Sequence, residues 1–211
     1  MQAKALSYPL ASTAVLFVDP LNDFISEGGK MWPYLKDNAA RVNLLPNLRR
    51  LQSAARAAGV RVGFVPHRRW REGDYEGWRF TNFTHRKTAE HRFFAAGTWG
   101  GEWHPDFVPK PGDMVCKEHW THSGFANTDL DTLLKLHGVS HIVLCGMRTN
   151  ACYEATARYA VELGYHLTMV KDATAAFLKE EMDATFLNAG PYAHEMVVTE
   201  DVVAAFAAAA A

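Results

Sequence analysis

The chain has 211 residues, 48% hydrophobic and 21% charged, the size and balance of one domain over 1–211 with a well-buried core. A formal net charge of −1 and the lack of any polybasic segment leave no electrostatic footprint for nucleic acid. The first apolar run, 14–18, is too short to span a membrane, and the N-terminal stretch lacks the charged start and long apolar run of a leader, so a cytoplasmic protein with no membrane partner is expected.

Short apolar runs then alternate with longer amphipathic ones. TAVLFVD (13–19) is β-branched and aromatic and predicts a buried strand. Val42, Leu45, Leu48 and Leu51 share one helical face, predicting a helix over 38–58 that Gly59 stops and Pro46 starts or kinks. A strand is predicted over 60–66. Residues 67–112, rich in Gly, Trp, His and Arg, read as a long irregular excursion. The alternation resumes with a strand over 113–117, a helix over 127–137, a strand over 140–145 and a helix over 152–163. A strand over 165–171, a helix over 179–188 and a strand over 195–199 complete it. The alanine run 207–211 reads as a fraying helix end or tail. Strands alternating with helices predict a three-layer α/β/α sandwich on a mainly parallel sheet, with ligands at the carboxyl ends of the strands.

Those ends carry an acid, an amine and a thiol: Asp19, Lys117 and Cys152. Each has a plainer reading, as a turn cap, an exposed strand-end lysine and a small buried hydrophobe. Together they make a specific chemistry. A helix N-terminus and a nearby ammonium both favour a thiolate, which places Cys152 as nucleophile and Lys117 as its electrostatic support. Asp19 then takes the thiol proton and passes it to a leaving amine. The free N–H groups at the helix start are natural oxyanion donors.

The motifs VLFVDPLNDF (15–24), VCKEHWTHSGFANTDLD (115–131) and GMRTNACYEATARYAVELGYHLTMVKDATAA (146–176) resemble those of the isochorismatase-like cysteine hydrolases. That group includes nicotinamidases, N-carbamoylsarcosine amidase and ureidoacrylate amidohydrolases. The resemblance runs from about residue 13 to about residue 203 and implies the Rossmann-like fold of that family. It also implies an amide, ureide or carbamoyl C–N bond as the target, a thioester intermediate and a homodimer or homotetramer. The family's Asp, Lys and Cys fall on Asp19, Lys117 and Cys152. Its non-proline cis peptide falls at Met147–Arg148, which makes the N–H groups of Arg148 and Cys152 the implied oxyanion hole.

This chain departs from the family in three places. Leu21 stands where the family often has Gln. The segment from Lys117 to Ser123 is about two residues longer than in ureidoacrylate-type members. The Asp-x-His pattern that binds metal in nicotinamidases is replaced by Val65-Pro66-His67-Arg68-Arg69. With no C-x-x-C or H-E-x-x-H spacing either, neither a metal nor an organic cofactor is expected. Cys152 speaks against the vinyl-ether activity of members that lack the nucleophile.

Phe24, close behind Asp19, is the favoured pocket residue. Trp99 and Trp120 are candidate apolar walls, Asn22 a group orienting substrate or Asp19, and Thr149 and Asn150 fix the nucleophile turn. His67, His85, His91 and His119 belong either to the pocket rim or to the surface. Three cysteines, Cys116, Cys145 and Cys152, with no disulfide-dense spacing, fit free thiols. Two rival functions remain. One is a binding module that has lost its chemistry, which an intact catalytic set opposes. The other is a thiol-redox protein, which needs a second thiol close to Cys152.

Overall fold

A computed structural model describes residues 6–211; residues 1–5, part of the stretch read for a leader, lie outside the described residues. β1 (Thr13–Val18) is buried along its whole length, as its unbroken apolar run requires of a strand covered on both faces. It is followed by a single helical turn, α1 (Asn22–Ile25), and by α2 (Trp32–Arg41) and α3 (Leu44–Ala57). β2 (Arg61–Val65), α4 (Phe83–His91), β3 (Met114–Val115), α5 (Leu130–Leu136) and β4 (His141–Gly146) come next. α6 (Glu154–Glu162), β5 (His166–Val170), α7 (Lys179–Ala189), β6 (Glu195–Val197) and α8 (Thr199–Ala210) complete the chain.

The six strands form one all-parallel sheet in the order β3-β2-β1-β4-β5-β6. Side chains alternate across it. Val15 and Phe17 of β1 face a core with Leu44, Leu48 and Leu51 of α3 and Val202 and Phe206 of α8. Ala14, Leu16 and Val18 face a second core with Leu130 and Leu134 of α5 and Ala157 and Ala160 of α6. These are the three layers expected. No helix among the described residues is long and apolar enough to cross a membrane.

Several elements differ from the sequence expectation, α1 and the earlier end of β6 at Val197 among them. The helix over 38–58 is two helices, broken where Asn43 takes a left-handed φ of 56°, and Pro46 sits in the first turn of α3, where it costs no internal hydrogen bond. The excursion holds α4, started by a reciprocal cap. Asn82 Oδ1 accepts from the His85 N–H at 2.9 Å, and His85 Nδ1 accepts from the Asn82 N–H at 3.3 Å. β3 is shorter than 113–117. The alanine tail completes α8, whose start is held by Asp172 Oδ1 accepting from the Thr199 N–H and hydroxyl at 2.7 and 2.8 Å.

β1 is flanked by β2 on one side and β4 on the other, so the chain winds outward in both directions from this pair. The crevice above their carboxyl ends is the switch point where such sheets bind ligands.

Candidate active site

β1 ends at Asp19, whose N–H donates to Val65 O at 2.9 Å while its backbone turns to φ 51°. Asp tolerates this left-handed region better than most residues, yet it costs about 1–3 kcal/mol. The turn stands the carboxylate across the end of the sheet, fully buried. Oδ1 accepts from His119 Nε2 at 3.0 Å, and Oδ2 has no hydrogen-bond partner.

β4 ends at Gly146, φ 107°, where a Cβ would lie 2.2 Å from Val18 O; only glycine permits that approach. The Met147 N–H donates to Val18 O at 2.8 Å, and a widened helical turn over Thr149–Tyr153 leads into α6. The Met147–Arg148 peptide is trans, as are all peptides among the described residues; the positive φ of Gly146 and the wide turn make the bend instead of the expected cis bond. Cys152 sits in this turn, 3% exposed, its thiol donating to Thr121 O at 3.7 Å. Burial, then the Asp19 carboxylate, push the thiol well above its ordinary range; the Arg148 guanidinium and a hydrogen bond from the Arg148 backbone pull it down.

Lys117 does not join them. It is exposed, outside the cavity that Cys152 lines, and its N–H donates to Asp129 Oδ1 at 2.7 Å. The cause is a slip at the sheet edge. The Cys116 N–H donates to Phe64 O and the His119 N–H to Pro66 O, so three steps along the β3 side match two along the β2 side. Such a bulge carries one residue too many out of the ladder. Lys117 swings outward. The Glu118 carboxylate faces Nη1 of Arg68 and Arg69 at 3.3 and 3.2 Å, and His119 enters the site in place of the lysine. His119 is fully buried, its ring 5.2 Å from that of His67, and its Nδ1 has no hydrogen-bond partner. The surplus of about two residues between Lys117 and Ser123 equals the distance from Lys117 to His119, a signal that the sequence reading, which kept Lys117, did not use. One donor atom each from Asp19, His119 and Cys152 lies within 4.8 Å of the others, and these carboxylate, imidazole and thiol groups could also share a metal ion.

Above them opens a cavity of about 500 Å³. Its walls are largely aromatic, with Phe24, Phe94 and Phe177 among them; Lys87 and Arg148 supply positive charge, His67, His91 and His122 supply imidazoles, and no Asp or Glu is part of the lining. Phe24 is where the sequence placed it, its ring 4.6 Å from that of Phe94. Burial drives His67 down to about 4 and lowers His122 as well, so both are neutral near pH 7. The Arg148 guanidinium lies 4.1 Å above the Phe177 ring, with Glu181 at 3.5 Å.

The other expected wall and positioning residues lie outside the lining. Asn22 is spent on structure, donating to Trp99 O at 2.8 Å and accepting from the Ser26 hydroxyl at 2.6 Å. Trp99 is 52% exposed. Trp120 stacks beneath the Arg68 guanidinium at 4.5 Å. Thr149 does brace the turn, through Thr174 Oγ1 at 2.9 Å and Ala175 O at 3.0 Å, whereas the buried Asn150 Oδ1 has no partner. Of the rim histidines, His67 and His91 line the cavity; His85 stacks on Tyr75 and bonds Thr121 Oγ1 at 2.8 Å. Asp23, which sequence reasoning passed over, organises a wall: its carboxylate accepts from the Lys30 N–H at 3.0 Å and the Phe94 N–H at 2.7 Å.

Residues 13–201 match the family described as Isochorismatase domain. The chain is 34% identical over 181 residues to the ureidoacrylate amidohydrolase RutB of Serratia proteamaculans, covering 81% of this chain and 73% of that one. It is similar to a crystal structure of a cysteine hydrolase from Pseudomonas syringae pv. phaseolicola, with a TM-score of 0.78, 26% identity and coverage of 99% and 100%. The N-carbamoylsarcosine amidase of Thermoplasma acidophilum shares the fold, with a TM-score of 0.68, 23% identity and coverage of 90% and 97%.

Proposed function

The chain belongs to the isochorismatase-like hydrolase family as an amidohydrolase of non-peptide C–N bonds, and we propose that it cleaves them with Cys152 as nucleophile, through a thioester. The observation that carries this reading is the approach of Asp19, His119 and Cys152 to within 4.8 Å, with Cys152 lining a cavity whose walls are largely aromatic.

The unpartnered Asp19 Oδ2 takes the thiol proton as sulfur attacks the substrate carbonyl. The developing oxyanion is received by free backbone N–H groups of the turn that carries Cys152, its own among them. Collapse breaks the C–N bond, and the departing amine takes its proton from Asp19. A water then gives a proton to Asp19 and attacks the thioester; the acid leaves and the thiol is restored. Donating from Nε2, His119 holds Asp19 Oδ1 as the family's lysine would, without a fixed positive charge. The Arg148 guanidinium is then the cation that favours the thiolate.

Aromatic walls and the absence of lining carboxylates favour an amide bearing an apolar, neutral or acidic group, and disfavour a cationic one. The test is ammonia release from a panel of ureido acids, carbamoyl amino acids, aryl amides and small aliphatic amides, with wild type beside Cys152→Ala. Release lost in the variant supports the reading; undiminished release from the variant refutes the nucleophile.

A further inference from the structure

We propose that Asp19, His119 and Cys152 form a binding site for a divalent ion of the zinc class, and that filling it takes the nucleophile out of use; only the second half rests on the catalytic reading above.

The donor set is chemically complete. A carboxylate oxygen, an imidazole nitrogen and a thiol sulfur lie within 4.8 Å of one another, each from a side chain no more than 3% exposed. A tetrahedral ion with bonds of about 2.0–2.3 Å holds its ligand atoms roughly 3.3–3.6 Å apart. Asp19 Oδ1 and His119 Nε2 are already 3.0 Å apart, so closing on an ion needs only small rotations. Carboxylate and thiolate together cancel the ion's two positive charges, as burial demands. Asp19 offers a second oxygen as well, Oδ2, which is buried without a hydrogen-bond partner. Of the three, Cys152 also lines the cavity.

The site arises from the exchange at position 119. An ammonium in that place cannot ligate, so the lysine-bearing pattern offers two donors where this chain offers three. Binding is an exchange: the ion enters, the thiol proton leaves to solvent and sulfur binds as thiolate, while the His119 ring shifts its proton from Nε2 to the unpartnered Nδ1 so that the Nε2 lone pair faces the ion.

The test is titration of the metal-stripped full chain with Co²⁺. A thiolate-to-cobalt charge-transfer band that saturates at one ion per chain is expected, absent in Cys152→Ser and in His119→Lys. Zn²⁺ should displace the cobalt and slow alkylation of Cys152 about tenfold at ten times its dissociation constant, by mass action. His119→Lys should keep an alkylatable thiol that Zn²⁺ no longer protects, which separates lost ligation from lost folding. A missing thiolate band, an equal band in His119→Lys, or alkylation indifferent to Zn²⁺ would overturn the site. Neither readout uses turnover, so failure of the amidohydrolase panel and failure of the metal site are distinct results.

Discussion

At the ends of β1 and β4 the sheet is covered on both faces by core, and the chain there has little freedom. Gly146 rests against the backbone of Val18, and the Met147 N–H closes on Val18 O at 2.8 Å. At the ends of β2 and β3 the sheet has reached its edge. There a bulge expels Lys117 and Glu118 and returns His119 to the ladder through Pro66 O at 3.0 Å. Cys152 and Asp19 are thus placed by the centre of the fold, and His119 by an edge that tolerates an extra residue. Chemistry at the centre is inherited with the strands, whereas chemistry at the edge can change identity without disturbing the core.

The largest expected effect tests the central half. Cys152→Ala should lower turnover by about 10³-fold or more with little change in melting temperature. Next comes the edge. His119→Ala should lower kcat/KM by about 10²-fold or more, and His119→Lys should recover part of that loss and shift the rising limb of the pH profile to lower pH, because an ammonium favours the thiolate. Were Lys117→Ala the damaging substitution instead, the bulge would be wrong and the comparison would break.

Acid should loosen the edge too. His67, with a pKa near 4 in the fold against about 6.5 when unfolded, is buried neutral between Phe94 and His119. Its depressed pKa contributes stability that is complete above pH 6.5 and is lost as pH falls toward 4, in all about 3 kcal/mol. Urea unfolding at pH 7 and pH 4 should show that loss in wild type and a correspondingly smaller one in His67→Gln. Asp23→Asn puts an amide where two backbone N–H groups need acceptors and should cost about 1–3 kcal/mol, with a raised KM as the Phe94 wall slackens. The smallest effect sharpens the contrast most: Lys117→Ala should leave activity within about twofold and stability within about 0.5 kcal/mol.

The central half was legible in the chain. Unbroken apolar runs marked β1 and β4, and Asp19 and Cys152 followed them at the positions expected of a parallel sheet. Period-two reasoning set Lys117 against Cys116, and it holds only while the ladder is regular. One bulged residue defeats it, and the sole trace was the surplus before Ser123. α4 escaped notice because its cap pairs Asn82 with a histidine instead of the usual Glu or Gln. Trp99 and Trp120 were read by type, but the side of a loop on which a tryptophan lies is decided by long-range contacts. Phe24 succeeded because it is anchored one helical turn beyond Asp19.

The Asp23 anchor makes the pocket wall replaceable. Its carboxylate reaches Lys30 and Phe94 and packs against Gly100, where a Cβ would come within 2.4 Å of Oδ1, while neighbouring Asn22 grips Trp99 and Glu102. These two residues hold the 94–102 part of the excursion, while Arg68, Arg69 and His85 tie its first half to Glu118 and Thr121. The stretch between His67 and Phe94 adds no strand to the sheet and is held by such ties to neighbouring loops and to Asp23. Lineages and engineers alike can exchange it for another length and composition, retuning the substrate while the sulfur and its acid stay where the central strands hold them.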